Sequence, residues 1–274
     1  MNKLKRSQRL VDMTQFLLER PHELLPLSRF ADRYGAAKSS ISEDLGIIKE
    51  VFEGEGMGEL QTLAGAAGGV RYIPKMPGEM ALSFVRELCV QLEQSDRILP
   101  GGYLYMSDLL GQPTLMEQAG KIIATAFYGV EIDAVMTVET KGIPLAYATA
   151  AQLGLPVVLV RRDHKVTEGS AVSINYVSGS HKSIHTMSLS RRALKEKSRV
   201  LIVDDFMKAG GTVRGMIDLL GEFGAVVAGV GVLVESDAVE WEQRLLHDYV
   251  SLVKLSEVDS KEKRISAYPG NHFS

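Results

Sequence analysis

The chain has 274 residues, 45% of them hydrophobic and 24% charged, with a formal net charge of −3. That length favours one large domain plus a small one, while the composition excludes wholesale disorder and carries no global signal for nucleic acid. One cysteine, Cys89, precludes an intramolecular disulfide, and no apolar run approaches the roughly 20 residues of a membrane span; a soluble, cytoplasmic protein is expected.

Charge is unevenly spread, so local patches are read separately. Lys3, Lys5, Arg6 and Arg9 precede any acid, whereas Glu50, Glu53, Glu55 and Glu59 crowd a later stretch. "SQRLVDMTQFLLER" carries Leu10, Val11, Met13, Phe16, Leu17 and Leu18 at helical spacing, and "RPHELLP" breaks it with two prolines. "LSRFADRYG" predicts a short second helix ended by Gly35, and "AKSSISEDLGIIKEVF" a third with Ile41, Leu45, Ile48 and Phe52 on one face. "LQTLAGAAGGVRYIP" reads as two short strands around a glycine-rich turn. Three short helices and a hairpin are the layout of a winged helix-turn-helix. A recognition helix enters the major groove by its N-terminal end, where small polar and basic residues belong, and Lys38, Ser39, Ser40 and Ser42 stand there. Lys5, Arg6 and Arg71 are further candidates for DNA contact, and the turn at Gly65, Gly68 and Gly69 would form the wing. The other reading of this segment is a small helical domain for protein contact, with Ser39 capping its third helix.

"PKMPGE", residues 74–79, reads as a linker, which divides the chain into a DNA-binding domain at 1–73 and an effector domain at 74–274. A helix over 79–94 holds Cys89 as a small buried hydrophobe. "RILPGGYLYMSDLLGQP" follows, punctuated by glycine and proline and bearing Tyr103 and Tyr105, and then a helical "LMEQAGKIIATAFYG". From residue 131 the apolar strands "IDAVMTV", "LPVVLVRR", "RVLIVDDF", "AVVAGVGVLVE" and a final "YVSLVKLSEV" alternate with helices "IPLAYATAAQLG", "TVRGMIDLLGEFG" and "AVEWEQRLLHD". That alternation argues for an α/β fold with a mainly parallel sheet. Residues 163–198 interrupt it; Val172, Ile174, Tyr176, Ile184 and Met187 within them suggest a hairpin arm beside the site.

Ligands of open α/β sheets bind at the carboxyl ends of strands, and two such ends are conspicuous. In "VDDFMKAGGT", Asp204 and Asp205 fall where the strand stops, and carboxylates there accept hydrogen bonds from a sugar's vicinal hydroxyls. Ala209, Gly210, Gly211 and Thr212 then open a helix whose backbone N–H groups can close round a phosphate, with the Thr212 hydroxyl as a further donor. In "VETKGIP", Thr140, Lys141 and Gly142 lie between strand and helix and offer a second anion site. An Asp-Asp pair alone also occurs at metal sites and solvated strand ends. The six histidines have no metal-ligand spacing, so no protein metal site is assigned.

"VLIVDDFMKAGGT" resembles the phosphoribosyl pyrophosphate (PRPP) signature of type I phosphoribosyltransferases. "RLVDMTQFLLERPHELLPL", "AKSSISEDL", "GAAGGVRYIPKM", "RILPGGYLYMSDLLG", "TKGIPLA" and "KVTEGSAVSINYVSGS" extend the likeness over nearly the whole chain, to the purine operon repressors of Gram-positive bacteria. The resemblance implies a winged helix fused to a phosphoribosyltransferase-like domain, in a homodimer that binds operator DNA upstream of purine biosynthesis genes and releases it when PRPP binds. It implies that Asp204 and Asp205 hold the ribose, that residues from Lys208 to Thr212 wrap the 5-phosphate, and that Thr140, Lys141 and Gly142 form the pyrophosphate loop. Tyr103 would lie near the ligand, and Arg161, Arg162 and Lys165 would touch phosphate. Mg²⁺ would travel on PRPP itself, and guanosine tetraphosphate would occupy the same pocket in favour of repression.

In some of these enzymes an acidic residue three positions after the second aspartate assists the incoming purine; here that position is Lys208. A lysine cation binds phosphate but accepts no proton, which favours a sensor, although enzymes with Thr or Ala there are active. A metabolite site fused to a DNA reader makes sense when ligand and DNA favour different states. Arg161, Arg162, Lys165, Lys182, Arg191, Arg192, Lys195 and Lys197, in or around the arm, also allow PRPP to compete with DNA phosphate. The alternative is an active purine phosphoribosyltransferase whose N-terminal domain serves dimerisation.

Overall fold

The computed structural model describes residues 4–65, 68–101, 103–163, 169–177, 184–239, 241–256, 259, 262 and 264–273. They form two compact units, Met1–Pro77 with Ala151–Gly154, and Gly78–Ala150 with Leu155–Ser274. Among the described residues no helix is long and apolar enough to cross a membrane.

The first unit contains α1 (Arg6–Leu18), α2 (Leu27–Tyr34), α3 (Lys38–Gly54) and an antiparallel hairpin of β1 (Gly58–Leu63) and β2 (Gly69–Pro74). Residues at helical spacing close its core: Met13, Phe16 and Leu17 of α1, Phe30 and Tyr34 of α2, and Ile41, Leu45, Ile48 and Phe52 of α3, against Leu60, Val70 and Tyr72 of the hairpin. Val11 and Leu18 share the sequence pattern but stay outside, Val11 being 71% exposed. The apolar stripe of α1 is therefore narrower than its composition. Gly35 ends α2 in the left-handed region at φ +56°, which only glycine adopts without strain, and the chain enters α3 within three residues. This is a helix-turn-helix. Leu25 pairs with Val70 and adds a third extended segment beside the hairpin. β2 runs through Pro74 and the next helix starts at Gly78, with residues 75–77 between them.

The second unit opens with α4 (Gly78–Leu92), a short hairpin of β3 (Ile98–Leu99) and β4 (Tyr103–Leu104), α5 (Ser107–Leu110) and α6 (Pro113–Ala126). Cys89 is buried on α4, and burial pushes its thiol up to about 11, so it packs as a hydrophobe and stays unreactive. Buried Arg97 organises the segment after α4: it donates to both carboxylate oxygens of Asp108 at 2.7 and 2.8 Å and to the carbonyls of Gln91 and Tyr105 at 2.8 and 3.2 Å.

The sheet follows: β5 (Ala134–Val138), α7 (Ile143–Leu153), β6 (Val157–Val160), a hairpin of β7 (Ala171–Val177) and β8 (Ile184–Ser190), β9 (Arg199–Met207), α8 (Gly211–Glu222), β10 (Val226–Ser236), β11 (Val250–Leu255) and β12 (Ala267–Pro269). Its strand order is β12-β11-β10-β9-β5-β6, parallel except for β12, which gives the expected α/β fold. Alternate residues of β5, β6, β9 and β10 bury one face against Val213, Met216, Leu219 and Leu220 of α8. The arm is a hairpin, as its alternation suggests, and it is packed: Tyr176 and Met187 join the same core. Gly215 permits this, since a methyl group there would lie 2.8 Å from Met187 Cε and 2.9 Å from Tyr176 Cγ.

Two expectations fail. Among the described residues "AVEWEQRLLHD" forms a 3₁₀ turn at Trp241–Gln243 rather than a helix, and β11 is followed by the antiparallel edge strand β12. The reason for the first is Arg244. Its buried guanidinium bonds Glu235, Tyr249 and the carbonyls of Ser236 and Val239, which curls the chain where local pattern alone favours a helix.

Candidate functional site

From β5 the chain passes outward to β6 and then returns to the other side of β5 as β9, so the order reverses between β5 and β9. A crevice opens at the carboxyl ends of strands beside such a reversal. The two strands pair from Ala134 with Val200 to Met136 with Ile202 and part beyond that point. Asp204 and Asp205 lie just past the divergence, near the end of β9.

The loop after β5 folds onto the same place. Gly142 is buried, and a methyl group on it would overlap the Thr137 hydroxyl and come within 2.9 Å of Asp204 Oδ1. Only glycine lets this loop lie against the acid pair. Thr140 and Lys141 stand exposed beside it, the Glu139–Thr140 peptide is cis, and Pro144 sits in the first turn of α7. Glu139 anchors the loop to the end of β6: its carboxylate accepts from the backbone N–H of Arg162 at 2.7 Å and from Arg161 Nη1 at 3.3 Å, while its carbonyl accepts from Arg162 Nε at 3.1 Å. Arg161 also exchanges backbone hydrogen bonds with Ser188, which ties β6 to the β7–β8 hairpin. Sequence reasoning passed over Glu139, because nothing local shows that it turns back to a strand more than twenty residues on.

Electrostatics mark the acid pair. Burial first, and then the charge of Asp205, hold the Asp204 carboxyl well above the usual carboxylate range. Burial also raises Asp205, opposed by its hydrogen bond with Asp204 and by the positive charges of Lys141 and Arg162. Asp204 Oδ1 accepts the Asp205 N–H at 3.0 Å. A buried carboxyl beside a half-buried one suits hydroxyl donors, and the cations beside them suit an anionic ligand.

On the far side of Asp205, Lys208 is exposed and Gly210 takes the left-handed conformation at φ +85° as the cap of α8, which starts at Gly211 rather than at Ala209. Thr212 is half-buried in the first turn. Backbone N–H groups at such a helix start have no intrahelical acceptors and can hold a phosphate. The Ala209 carbonyl accepts from the Leu245 N–H at 2.9 Å, so the curled segment after β10 braces this loop. Tyr103 lies on β4, 53% exposed. Lys165 and Lys182 lie outside the described residues.

In the first unit, Lys38, Ser39 and Ser42 are exposed and Ser40 half-buried at the start of α3. The capping residue is Ala37, without a side-chain bond, so Ser39 does not cap the helix. Arg6 Nε and Arg9 Nε hold the buried carboxylate of Asp44 at 2.9 and 2.5 Å, clamping α1 to α3, while the Arg6 side chain stays 54% exposed. Arg71 donates through Nη2 to Gln61 across the hairpin at 2.9 Å, and the Lys5 backbone N–H donates to Gln8 at 3.0 Å.

Residues 5–74 match the family model of the bacterial purine repressor N-terminal domain, and residues 112–266 match the phosphoribosyl transferase domain. The chain is 59% identical to the purine biosynthesis transcriptional repressor PurR of Bacillus subtilis (strain 168), over 98% of this chain and 94% of that protein. It is 45% identical to the purine biosynthesis transcriptional activator PurR of Lactococcus lactis subsp. lactis (strain IL1403), over 99% of each. Among solved structures, an adenine phosphoribosyltransferase from Thermoanaerobacter pseudethanolicus matches with a TM-score of 0.53 at 22% identity, covering 61% of this chain and 98% of the other, a likeness of fold. With both domains matched in order and the similarity running almost end to end, the chain belongs to the PurR family of purine biosynthesis transcriptional regulators.

Proposed function

We propose that this protein is a DNA-binding repressor of purine biosynthesis genes that releases its operator when PRPP occupies the crevice at Asp204 and Asp205. The observation that carries the proposal is the arrangement at the strand ends: a buried carboxyl, Asp204, beside a half-buried one, Asp205, flanked by the loop at 139–142 and the start of α8, fused to a helix-turn-helix whose α3 exposes Lys38, Ser39 and Ser42. Two anion cradles on either side of a diol-accepting acid pair suit a ribose bearing phosphates at both ends. In this reading Asp204 and Asp205 take the ribose hydroxyls, residues from Lys208 to Thr212 take the 5-phosphate, and Thr140, Lys141 and Gly142 take the pyrophosphate. Arg161 and Arg162 add positive charge, and Mg²⁺ arrives on phosphate oxygens. Guanosine tetraphosphate, a ribose phosphorylated on two sides, competes for the same cradles. A cytoplasmic homodimer presents two α3 helices to two half-sites.

Repression is favoured over activation by the higher identity to the B. subtilis repressor than to the L. lactis activator. The site works here without turnover: the position from which a carboxylate would assist the incoming base holds Lys208, exposed and cationic. A gel shift on promoter DNA, run beside an assay for pyrophosphate release with each purine base, tests both parts. Binding weakened by PRPP with no base-dependent release is expected, and robust release would overturn the sensor reading. Changing Asp204 and Asp205 to Ala should leave DNA binding intact and remove the response to PRPP.

A further inference from the structure

Thr137 lies on β5, fully buried, and among the described residues its Oγ1 has no hydrogen-bond partner. Buried hydroxyls are almost always paired, and one left open calls for an explanation. Thr149 Oγ1 on α7 and Arg71 Nε in the first unit share that condition, but Thr137 stands at the crevice. It is the first residue of β5 beyond the last pair with β9, so it occupies the point where the strands part. A methyl group on Gly142 would overlap Thr137 Oγ1 and lie 2.9 Å from Asp204 Oδ1, so both oxygens crowd one point beside the loop. The hydroxyl and the carboxylate oxygen thus lie close together beside the same glycine. Asp204 Oδ1 accepts the Asp205 N–H and retains capacity for a second donor.

We propose that Thr137 is a positioning residue of this site: its hydroxyl donates to Asp204 when that carboxylate turns to accept the ribose hydroxyls, fixing the acid's orientation. The inference rests on the PRPP reading of the crevice. Its physical basis is that burial beside Asp205 opposes charge on Asp204, and a donor aimed at a buried carboxylate offsets that opposition. An ionised carboxylate is the stronger acceptor for ribose hydroxyls. A hydroxyl held in reserve beneath the loop supplies the missing donor at the moment of binding.

The test uses the full chain with Thr137→Val, which keeps the shape and removes the hydroxyl, and Thr137→Ser, which keeps the hydroxyl. Calorimetry would measure affinity for Mg²⁺-PRPP and, separately, for inorganic pyrophosphate, beside thermal melts. T137V is expected to weaken PRPP binding by roughly tenfold to a hundredfold, the loss of one hydrogen bond to a charged group. It should leave pyrophosphate binding as it is, because pyrophosphate carries no hydroxyl for Asp204, and it should melt no lower than the wild type. T137S should restore most of the affinity. Wild-type PRPP affinity in T137V would overturn the inference, as would an equal loss for pyrophosphate, which would assign the hydroxyl to the loop instead. If T137V does not fold, Thr137→Ala against T137S carries the same comparison. A wild-type chain that binds no PRPP would overturn the functional reading and this inference with it.

Discussion

Replacing Asp44 by alanine should destabilise the contact between α1 and α3 by about 3 kcal/mol, the lower end of the cost of stranding one partner of a buried ion pair. The Asp44 side chain is 1% exposed and takes the Nε of Arg9 at 2.5 Å and of Arg6 at 2.9 Å. Arg9 is itself 11% exposed, so without Asp44 its guanidinium stays largely out of water with no acceptor. Arg6 is 54% exposed and can return to solvent. Arg6→Ala should therefore cost less than about 1 kcal/mol, as exposed pairs do, and Arg9→Ala several times more, since the buried carboxylate loses its closer partner. Amide hydrogen exchange of α1 and α3 in the full chain reads these differences as local opening free energies. Equal costs for R6A and R9A, or unchanged protection of α3 in D44A, would refute the reasoning. The same clamp bears on DNA. A loosened α3 should weaken operator binding in D44A even though Asp44 carries no positive charge to lose.

The raised carboxyl of Asp204 makes stability depend on pH. With its folded-state value above the unfolded one, its contribution is complete below the ordinary Asp value of about 4 and is lost as pH rises through the raised value. Asp204→Asn should flatten that decline in thermal melts, and identical pH slopes for the variant and the wild type would count against it. Gly215→Ala should push the β7–β8 hairpin away from α8, because the added methyl meets Met187 and Tyr176 within 3 Å. Overpacking of this kind costs about 1–3 kcal/mol, visible as a drop of several degrees in the melting temperature, with operator binding retained. A melt at the wild-type temperature would mean that the hairpin yields freely.

Much of this architecture was legible in local pattern. The spacing of Ile41, Leu45, Ile48 and Phe52 gave the buried face of α3 because a helix repeats every 3.6 residues, and all four are in the core. Unbroken apolar runs ending in Asp204 and Asp205 gave both the parallel sheet and the acids at a strand end, since a strand buried on both faces has no polar alternation. The segment after β10 misled for the same reason that the others informed. "AVEWEQRLLHD" has helical spacing, but the bonds that Arg244 makes to Glu235, Tyr249 and two carbonyls override it.

By itself, then, the sequence determined which elements form, which faces they bury, and that an acid pair and two small-residue loops stand at strand ends. The tertiary structure decided what those residues meet. Arg6 turns to Asp44, 38 residues away, Glu139 holds Arg161 and Arg162, 22 and 23 residues on, and Gly142 brings its loop against Thr137 and Asp204. Such pairings join distant parts of the chain through burial and charge, and neither helical nor strand periodicity carries any record of them.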